Sequence, residues 1–383
     1  MFYLSGVIID FFLVFILLSK KGKNAADYVL AAWLSLTGLH LFSFYLFYSE
    51  NYIYLPGLAG IGFSLPLIQG PFLYIYTKVQ TSERGFRKPM LLHFIPVLAS
   101  ILLFGSYYLL SSEEKIQVFK DNGVRYQTES TINIIAIYLS GIIYIPLALR
   151  VLIRFRKSLV HTFSNTEKIS FNWLLYLIIW LACIWIVILI IQEDIFIFGS
   201  AVMFVVWIGY YGIRQVSVFH QHIPLHQSVA KSIYRNASEH HSIEEVITSE
   251  VLPESPKYQN SSLTEEEAKR IHTRLLQLFT ENESFKDPEL TLSDLAEVLD
   301  VHPNHLSQVI NSIEQKSFYD LINERRIQAF LEAVNKPENQ QYTFLALAFS
   351  CGFNSKASFN RNFKKFTGQT PSEYLKSNPI PSK

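Results

Sequence analysis

The sequence predicts an all-α protein in two parts, a membrane portion of seven helices followed by a helical domain in water. Three observations lead to this prediction. Of the 383 residues, 50% are hydrophobic, and most of the long apolar runs lie between residues 2 and 211. Charged and polar residues become common only after that point. In the C-terminal third, apolar residues recur with the spacing of amphipathic helices.

Each apolar run is close to the roughly 20 residues with which a helix spans a bilayer. The first run lacks a cationic start and a small-residue cleavage site, so we interpret it as a retained helix and not as a signal peptide. The runs predict a seven-helix membrane domain over 1–213. They cover about 2–19, 28–48, 58–77, 90–110, 132–151, 171–191 and 195–211.

The charges between the runs predict the orientation of this domain. Cationic residues follow every second run, whereas the other connections carry acidic or mixed charge. The positive-inside rule therefore places the N-terminus outside and the C-terminus in the cytoplasm. The cationic residues are Lys20, Lys21, Lys23, Lys78, Arg84, Arg87, Lys88, Arg150, Arg154, Arg156, Lys157 and Arg214; the acidic ones are Glu50, Glu113, Glu114, Glu193 and Asp194.

The longest predicted outer connection, 111–131, contains Asn122-Gly123 between two short alternating runs. This pattern is typical of a β-hairpin. Either the connection contacts an extracellular ligand, or it only folds over the helix bundle.

Three polar residues, Asp10, His40 and Gln69, lie within the predicted spans. Such residues are costly in a membrane, so they usually face the bundle interior and find a partner. Asp10 and His40 lie at similar depths on antiparallel neighbours, and we hypothesise that they form a polar pair. The three residues would form a site for a ligand or signal, or make structural hydrogen bonds between helices.

A hydrophilic linker is predicted over 214–262. Its histidines match no defined metal-site spacing and no cysteine accompanies them, so we predict no metal site. Cys183 and Cys351 lie far apart in different contexts and indicate no disulfide framework. The linker histidines are His220, His222, His226, His240 and His241.

The remaining part, 263–383, contains a helix–turn–helix pattern over about 343–367. Gly352 suits the turn, because only glycine adopts left-handed backbone angles without steric cost. After it, three phenylalanines at i, i+4 and i+7 predict one buried helix face. The opposite face carries cations and amides without an acid. The outward residues are Ser355, Lys356, Asn360, Arg361, Lys364 and Lys365, and the phenylalanines are Phe359, Phe363 and Phe366.

Such a face suits the major groove of DNA. Arginine can pair with guanine, asparagine with adenine, and lysine with phosphate. The alternative is an ordinary solvated basic face. From residue 281 to 383 there are 11 Lys and Arg against 13 Asp and Glu, so positive charge is local to this unit.

A pattern of aromatic, glycine and basic residues at fixed spacing in this stretch resembles the signature of AraC-type transcription regulators. The resemblance implies two helix-turn-helix units joined by a long helix, promoter DNA as the partner, and no enzymatic activity or cofactor. It also implies a bacterial protein, here in the inner membrane. The matching residues are Gly352, Phe353, Ser355, Phe359, Arg361, Phe363, Lys364, Lys365, Gly368, Thr370, Pro371 and Tyr374.

The second unit that the resemblance implies can be found upstream, over about 291–312. Thr291 and Asp294 form a capping-box pattern, and Pro303 suits the first position of the following helix. A connector helix is predicted over about 317–335. The outward residues of the upstream unit, which can hydrogen-bond bases, are Asn304, His305, Gln308 and Asn311.

These features favour a membrane-embedded regulator that binds promoter DNA in response to an unknown small-molecule or envelope signal. RNA polymerase, the lipid bilayer and a second copy of the chain come into consideration as further partners. The alternative is a membrane scaffold or transporter-like protein whose C-terminal domain binds a protein, which the local acidic balance favours. We predict no enzyme, because the soluble part shows no nucleophile–base pair, phosphate loop or metal set.

Overall fold

The computed structural model describes residues 2–82, 85–166, 172–191, 196, 199–208 and 263–377. In this part the chain is helical, and its one isolated β-bridge joins Phe163 to Thr291. The contacts group the described residues into two compact units. The first combines 2–154 with 172–208, and the second combines 155–166 with 263–377. The predicted linker and its histidines lie outside the described residues.

The first unit is a set of apolar helices connected by short 3-10 turns. Among the described residues, three helices are long and apolar enough to span a membrane: Ala25–Tyr48, Val124–Leu159 and Asn172–Ile190. A pair of segments bent by 44°, Pro56–Phe63 and Leu65–Gln80, makes a fourth if it is counted as one span. The helices are Phe2–Ser19, Ala25–Tyr48, Gln69–Gln80, Ile95–Leu103, Gly105–Tyr108, Ser112–Lys120, Gln127–Leu159, Asn172–Ile190 and Gly199–Ile208.

Seven spans therefore stay a prediction. The other predicted runs coincide with apolar helices that are shorter than a full span, such as Lys88–Leu103 and Gly199–Ile208. Pro96, at the second position of the helix Ile95–Leu103, follows a 3-10 turn over Lys88–Phe94. Proline lacks the amide hydrogen that a helix interior needs, so it suits this early position.

The core of the first unit is built around Trp33, which is 1% exposed. Its ring stacks on Phe72 at 6.1 Å, and the same cluster contains the fully buried Leu73, Leu174 and Val205. Many large apolar side chains point outward instead, as Phe15 at 67% and Leu102 at 79% exposure illustrate. An exterior this apolar is unusual for a protein surface in water.

The hairpin prediction for the outer connection is wrong. Residues Ser112–Lys120 form a helix, and Ser111 caps it by accepting a hydrogen bond from the Glu114 amide. Asn122 and Gly123 do adopt the positive φ angles of a tight turn, 52° and 71°. Here that turn follows the end of a helix, because the capping box at its start makes helix the favoured local structure.

The second unit contains the C-terminal helices and begins with Glu265–Asn282, capped by Thr264 and Glu267 as a reciprocal pair. The upstream helix-turn-helix follows, and the capping box of Thr291 with Asp294 is present as predicted. The remaining helices are Leu292–Val298, Pro303–Val309, Phe318–Val334, Phe344–Ser350, Lys356–Thr367 and Pro371–Ser377.

Phe318–Val334, the connector helix, belongs to two separate apolar cores. Its first half contributes Phe318 and Ile322 to the core of the upstream unit. Its second half contributes Phe330 and Val334 to the core of the downstream unit. Since one rigid helix supplies both cores, it fixes the distance between the two helix-turn-helix units.

Candidate nucleic-acid interface

The helix Lys356–Thr367, called the basic helix below, contains no acidic residue and begins and ends at defined caps. The Ser355 hydroxyl accepts a hydrogen bond from the Ser358 amide at 3.0 Å. Gly368 ends the helix with a φ of 77°, in the left-handed region that favours glycine. These caps give the helix a fixed start and end in an otherwise cation-rich stretch.

The inner face of the basic helix is aromatic, as the sequence predicts. Phe359 and Phe363 are 2% and 0% exposed, while Phe366 is half-buried. Phe330 of the connector helix meets both buried rings, with centroids 4.8 Å from Phe359 and 5.8 Å from Phe363. Because these rings anchor one face, the direction of the opposite face is fixed.

The outer face presents cations and an amide to solvent. Ser355, in contrast, is half-buried and acts as the cap. This face is therefore positive, and it projects the side chains that can contact base edges and phosphates. Its exposed residues are Lys356, Asn360, Arg361, Lys364 and Lys365.

The hydroxyl of Tyr319, on the connector helix, forms hydrogen bonds with the basic helix. It accepts hydrogen bonds from Arg361 Nη2 at 2.9 Å and from Asn362 Nδ2 at 2.8 Å. Asn362 is 1% exposed, and its amide also donates to the carbonyl oxygen of Ser358 at 3.0 Å. One buried phenol thereby orients the exposed arginine.

A second contact joins the same two helices at the surface. Lys365 Nζ lies 2.6 Å from Asp320 Oδ1, and both side chains are partly exposed. An exposed ion pair of this kind adds little stability. The ion pair does affect geometry, because it holds Lys365, one of the predicted DNA-contacting cations, against Asp320 of the connector helix.

The turn before the basic helix requires glycine for two reasons. Gly352 has a φ of 96°, which confirms the predicted turn. A Cβ atom there would lie 2.6 Å from the carbonyl oxygen of Lys286 and 2.9 Å from Arg326 Nε. Distances this short leave no room for a side chain.

The upstream helix-turn-helix presents a weaker outer face. Asn304 is exposed, whereas His305, Gln308 and Asn311 are half-buried. The Asn311 amide donates to the carbonyl oxygen of Ser307 at 2.8 Å, so part of its capacity is used inside the chain. Asn311 lies in a π-helical turn, Ile310–Glu314, that follows the helix Pro303–Val309.

The structure does not bring the three polar residues of the membrane portion together as hypothesised. Asp10 is fully buried, but neither of its carboxylate oxygens has a hydrogen-bond partner among the described residues, so it forms no polar pair with His40. Asp10 packs against Gly38 instead, its Cβ 3.2 Å from where a Gly38 Cβ would lie. His40 lies two residues later, about 200° further round the helix, and therefore points elsewhere.

Gln69 makes structural hydrogen bonds between helices. Its Oε1 accepts from Trp33 Nε1 at 2.7 Å, and its Nε2 donates to Thr37 Oγ1 at 3.4 Å. Of the two roles considered for the polar residues in the spans, Gln69 therefore shows structural hydrogen bonds between helices.

Sequence reasoning did not assign the buried polar residues of the connector helix to the site. Arg326 is 1% exposed, and it donates from Nε to the carbonyl oxygen of Phe285 at 2.7 Å and from Nη2 to that of Asp287 at 2.6 Å. Burial lowers the pKa of Arg326 to about 10, so the guanidinium remains a cation at neutral pH. No local sequence pattern reveals these partners, because they lie 41 and 39 positions away along the chain.

Comparisons with known proteins agree with this geometry. A family model described as a helix-turn-helix domain matches residues 295–377, which supports an AraC-type DNA-binding domain at the C-terminus. Uncharacterized HTH-type transcriptional regulators from Staphylococcus aureus strains COL and MSSA476 are each 36% identical to this chain over 92 residues. The matched region is 24% of this chain and 12% of each relative, so the likeness concerns this domain alone. No solved structure matches the chain.

Proposed function

We propose that this chain is a membrane-embedded, AraC-type transcription regulator that binds promoter DNA sequence-specifically through two helix-turn-helix units and responds to a signal sensed by its membrane portion. The family match and the relatives support a DNA-binding regulator. One observation supports binding through two units: the basic helix, with its cationic outer face, packs on a connector helix that contributes to both apolar cores. The outer face can read bases, and the connector sets where two such readers meet the duplex.

Within this proposal the two units have different tasks. The basic helix supplies both base contacts and charge, through Asn360, Arg361 and Lys364. The upstream helix, with Asn304 exposed and Gln308 half-buried, supplies hydrogen bonds without charge. Salt dependence of binding should therefore come mainly from the basic helix, because it measures phosphate neutralisation.

Replacing Arg361 with alanine is expected to weaken specific DNA binding by about 1–3 kcal/mol, the usual value of a good base contact. The measurement uses the full chain in detergent and the chromosomal fragments that wild-type protein retains from sheared chromosomal DNA of the source organism. Affinity for the most enriched fragment is then compared between variants.

Arg270→Ala is the matched control, since Arg270 is an exposed arginine on the helix Glu265–Asn282. It removes the same charge without altering the basic helix. Equal affinity of wild type and Arg361→Ala would remove Arg361 from the interface. A wild-type chain that retains no DNA would instead favour the scaffold alternative.

The membrane part of the proposal is supported by the three long apolar helices and by the apolar exterior of the first unit. We propose the bacterial inner membrane as its location, with the N-terminus outside and the C-terminus in the cytoplasm. RNA polymerase, a second copy of the chain, and an unknown small-molecule or envelope signal are the partners that such a regulator would need.

The orientation can be tested with single cysteines at two exposed serines. Ser112 lies at the start of a helix after the predicted fourth span, and Ser158 near the end of Gln127–Leu159. A membrane-impermeant thiol reagent applied to intact spheroplasts should label Ser112→Cys and should label Ser158→Cys only after lysis. The reverse pattern would place the C-terminal domain on the wrong side for DNA.

A further inference from the structure

The segment 160–165, called the docking segment below, packs on the C-terminal domain although it follows the apolar helix Gln127–Leu159 directly. Its Phe163 pairs with Thr291 in an antiparallel bridge. The docking segment leaves the helix through a turn over residues 160–162. It thus contacts a domain whose sequence begins about a hundred residues later.

Two backbone carbonyls of the docking segment bond amides in the first turns of two helices. The Tyr319 amide donates to the Val160 carbonyl oxygen at 2.9 Å, and the Leu292 amide donates to that of Thr162 at 2.9 Å. Amides in the first turn of a helix have no partner within the helix and need an outside acceptor. The docking segment supplies one to the upstream unit and one to the connector helix.

Ser164 is 1% exposed and makes hydrogen bonds to two residues of the connector helix. Its hydroxyl donates to the Leu290 carbonyl oxygen at 2.7 Å and accepts from Arg326 Nη2 at 3.0 Å. Its own carbonyl oxygen accepts from Asn323 Nδ2 at 3.0 Å. Arg326 and Asn323 are themselves buried, so loss of Ser164 would leave buried donors without these acceptors.

The residue that the docking segment contacts is also the one that orients the proposed DNA face. The backbone amide of Tyr319 donates a hydrogen bond to the Val160 carbonyl oxygen. Its hydroxyl accepts hydrogen bonds from Arg361 and Asn362 of the basic helix. Two hydrogen bonds, one on the backbone amide and one on the hydroxyl of Tyr319, therefore connect the docking segment to Arg361 through this one residue.

We propose that the cleft between Leu290 and the connector helix is a recognition site for the docking segment, and that docking holds the DNA-binding domain in its binding-competent arrangement. The apolar helix ends at Leu159, and the next residue, Val160, carries the first docked carbonyl. A movement of that helix would pull the docking segment from its cleft and loosen Tyr319 and Arg361. This inference rests on the proposed function for its DNA readout, but the docking itself does not.

A cysteine cross-link tests whether docking occurs. Opposed residues of an antiparallel pair have Cα atoms about 4.5–5.5 Å apart, within the range that a disulfide spans. In a Cys183→Ser background, Phe163→Cys with Thr291→Cys should cross-link in native membranes after mild oxidation. Phe163→Cys with Thr343→Cys is the control, because Thr343 also caps a helix but does not face the docking segment in the bridge.

The link to DNA is tested with Ser164→Ala, which removes the hydroxyl and adds no atoms to the buried site. We expect it to lower the cross-linking yield and to weaken retention of chromosomal DNA roughly tenfold, the factor that corresponds to one hydrogen bond to a charged group. Ser158→Ala, at an exposed serine six residues earlier, should change neither. In a Ser164→Ala chain that also carries Phe163→Cys and Thr291→Cys, oxidation of the cysteine pair should restore DNA retention. A misfolded chain would not recover in this way.

Cross-linking no better than the control pair would overturn the docking site. Retention of DNA by Ser164→Ala equal to that of Ser158→Ala, or no recovery on oxidation, would overturn the link between docking and DNA binding. Should the wild-type chain retain no DNA at all, the proposed function and this link both fail, while the cross-linking yield still decides the docking site.

Discussion

Phe363→Ala is expected to destabilise the C-terminal domain by about 3–5 kcal/mol, the range for truncating a buried aromatic side chain. Phe363 is 0% exposed, and its ring lies against Phe330, Phe359 and Tyr374 with centroids 5.4–5.8 Å away. The substitution removes the contact that fastens the basic helix to the connector helix. Domains of this size have only about 5–15 kcal/mol of stability, so the substitution removes a large share of it and makes opening of the domain much more frequent.

Hydrogen exchange measured by mass spectrometry on the full chain checks this result, with peptides from the connector helix as the readout. Phe349→Ala is the matched control, because Phe349 lies in the preceding helix but is 46% exposed. It should leave exchange of the connector helix nearly unchanged. If the connector-helix peptides exchange hydrogen at the same rate in Phe363→Ala and Phe349→Ala, the aromatic core does not hold the basic helix.

Gly352→Ala is the second substitution with a large expected effect, about 2–5 kcal/mol of lost stability. Left-handed backbone angles cost a non-glycine residue about 1–2 kcal/mol, and forcing extra atoms into a packed core costs about 1–3 kcal/mol more. The new Cβ would meet the Lys286 carbonyl oxygen and Arg326 Nε. It would thereby disturb the hydrogen bond from Arg326 to the Phe285 carbonyl oxygen.

Gly368→Ala separates these two costs. Gly368 has a φ of 77°, but no atom lies within 4 Å of the position of an added Cβ. It should therefore lose only the backbone cost of about 1–2 kcal/mol. The two variants are compared by urea unfolding of the full chain, with hydrogen exchange of the connector helix as the readout. Equal losses of stability would show that the turn at Gly352 is not crowded.

Local features of the C-terminal domain could be read from the sequence, because a few neighbouring residues determine them. The spacing of Phe359 and Phe363 predicted the buried face, and Gly352 predicted the turn. The capping box at Thr291 predicted a helix start, and it is present. The choice of base-contacting residues stays a prediction, since the structure fixes only their exposure.

In the membrane portion the sequence was less informative. Hydropathy marks apolar runs, but it does not say where a helix breaks, and the run at 58–77 contains a 44° bend between two segments. Depth along a helix suggested that Asp10 and His40 could meet, whereas helical phase directs Asp10 to Gly38. Phase depends on how neighbouring helices are rotated, which packing decides.

The sequence by itself determined the helices of the C-terminal domain, their caps and their apolar faces, since those depend on interactions within a few residues. Only the tertiary structure decided which polar groups meet. Tyr319 and Arg361 are 42 positions apart, and Ser164 and Arg326 are 162 apart. No periodic pattern encodes such pairs, because hydrogen bonds between distant residues form only after the apolar cores have brought their helices together. The docking segment lies within the predicted membrane domain, 1–213. Only the fold shows that it packs on the C-terminal domain.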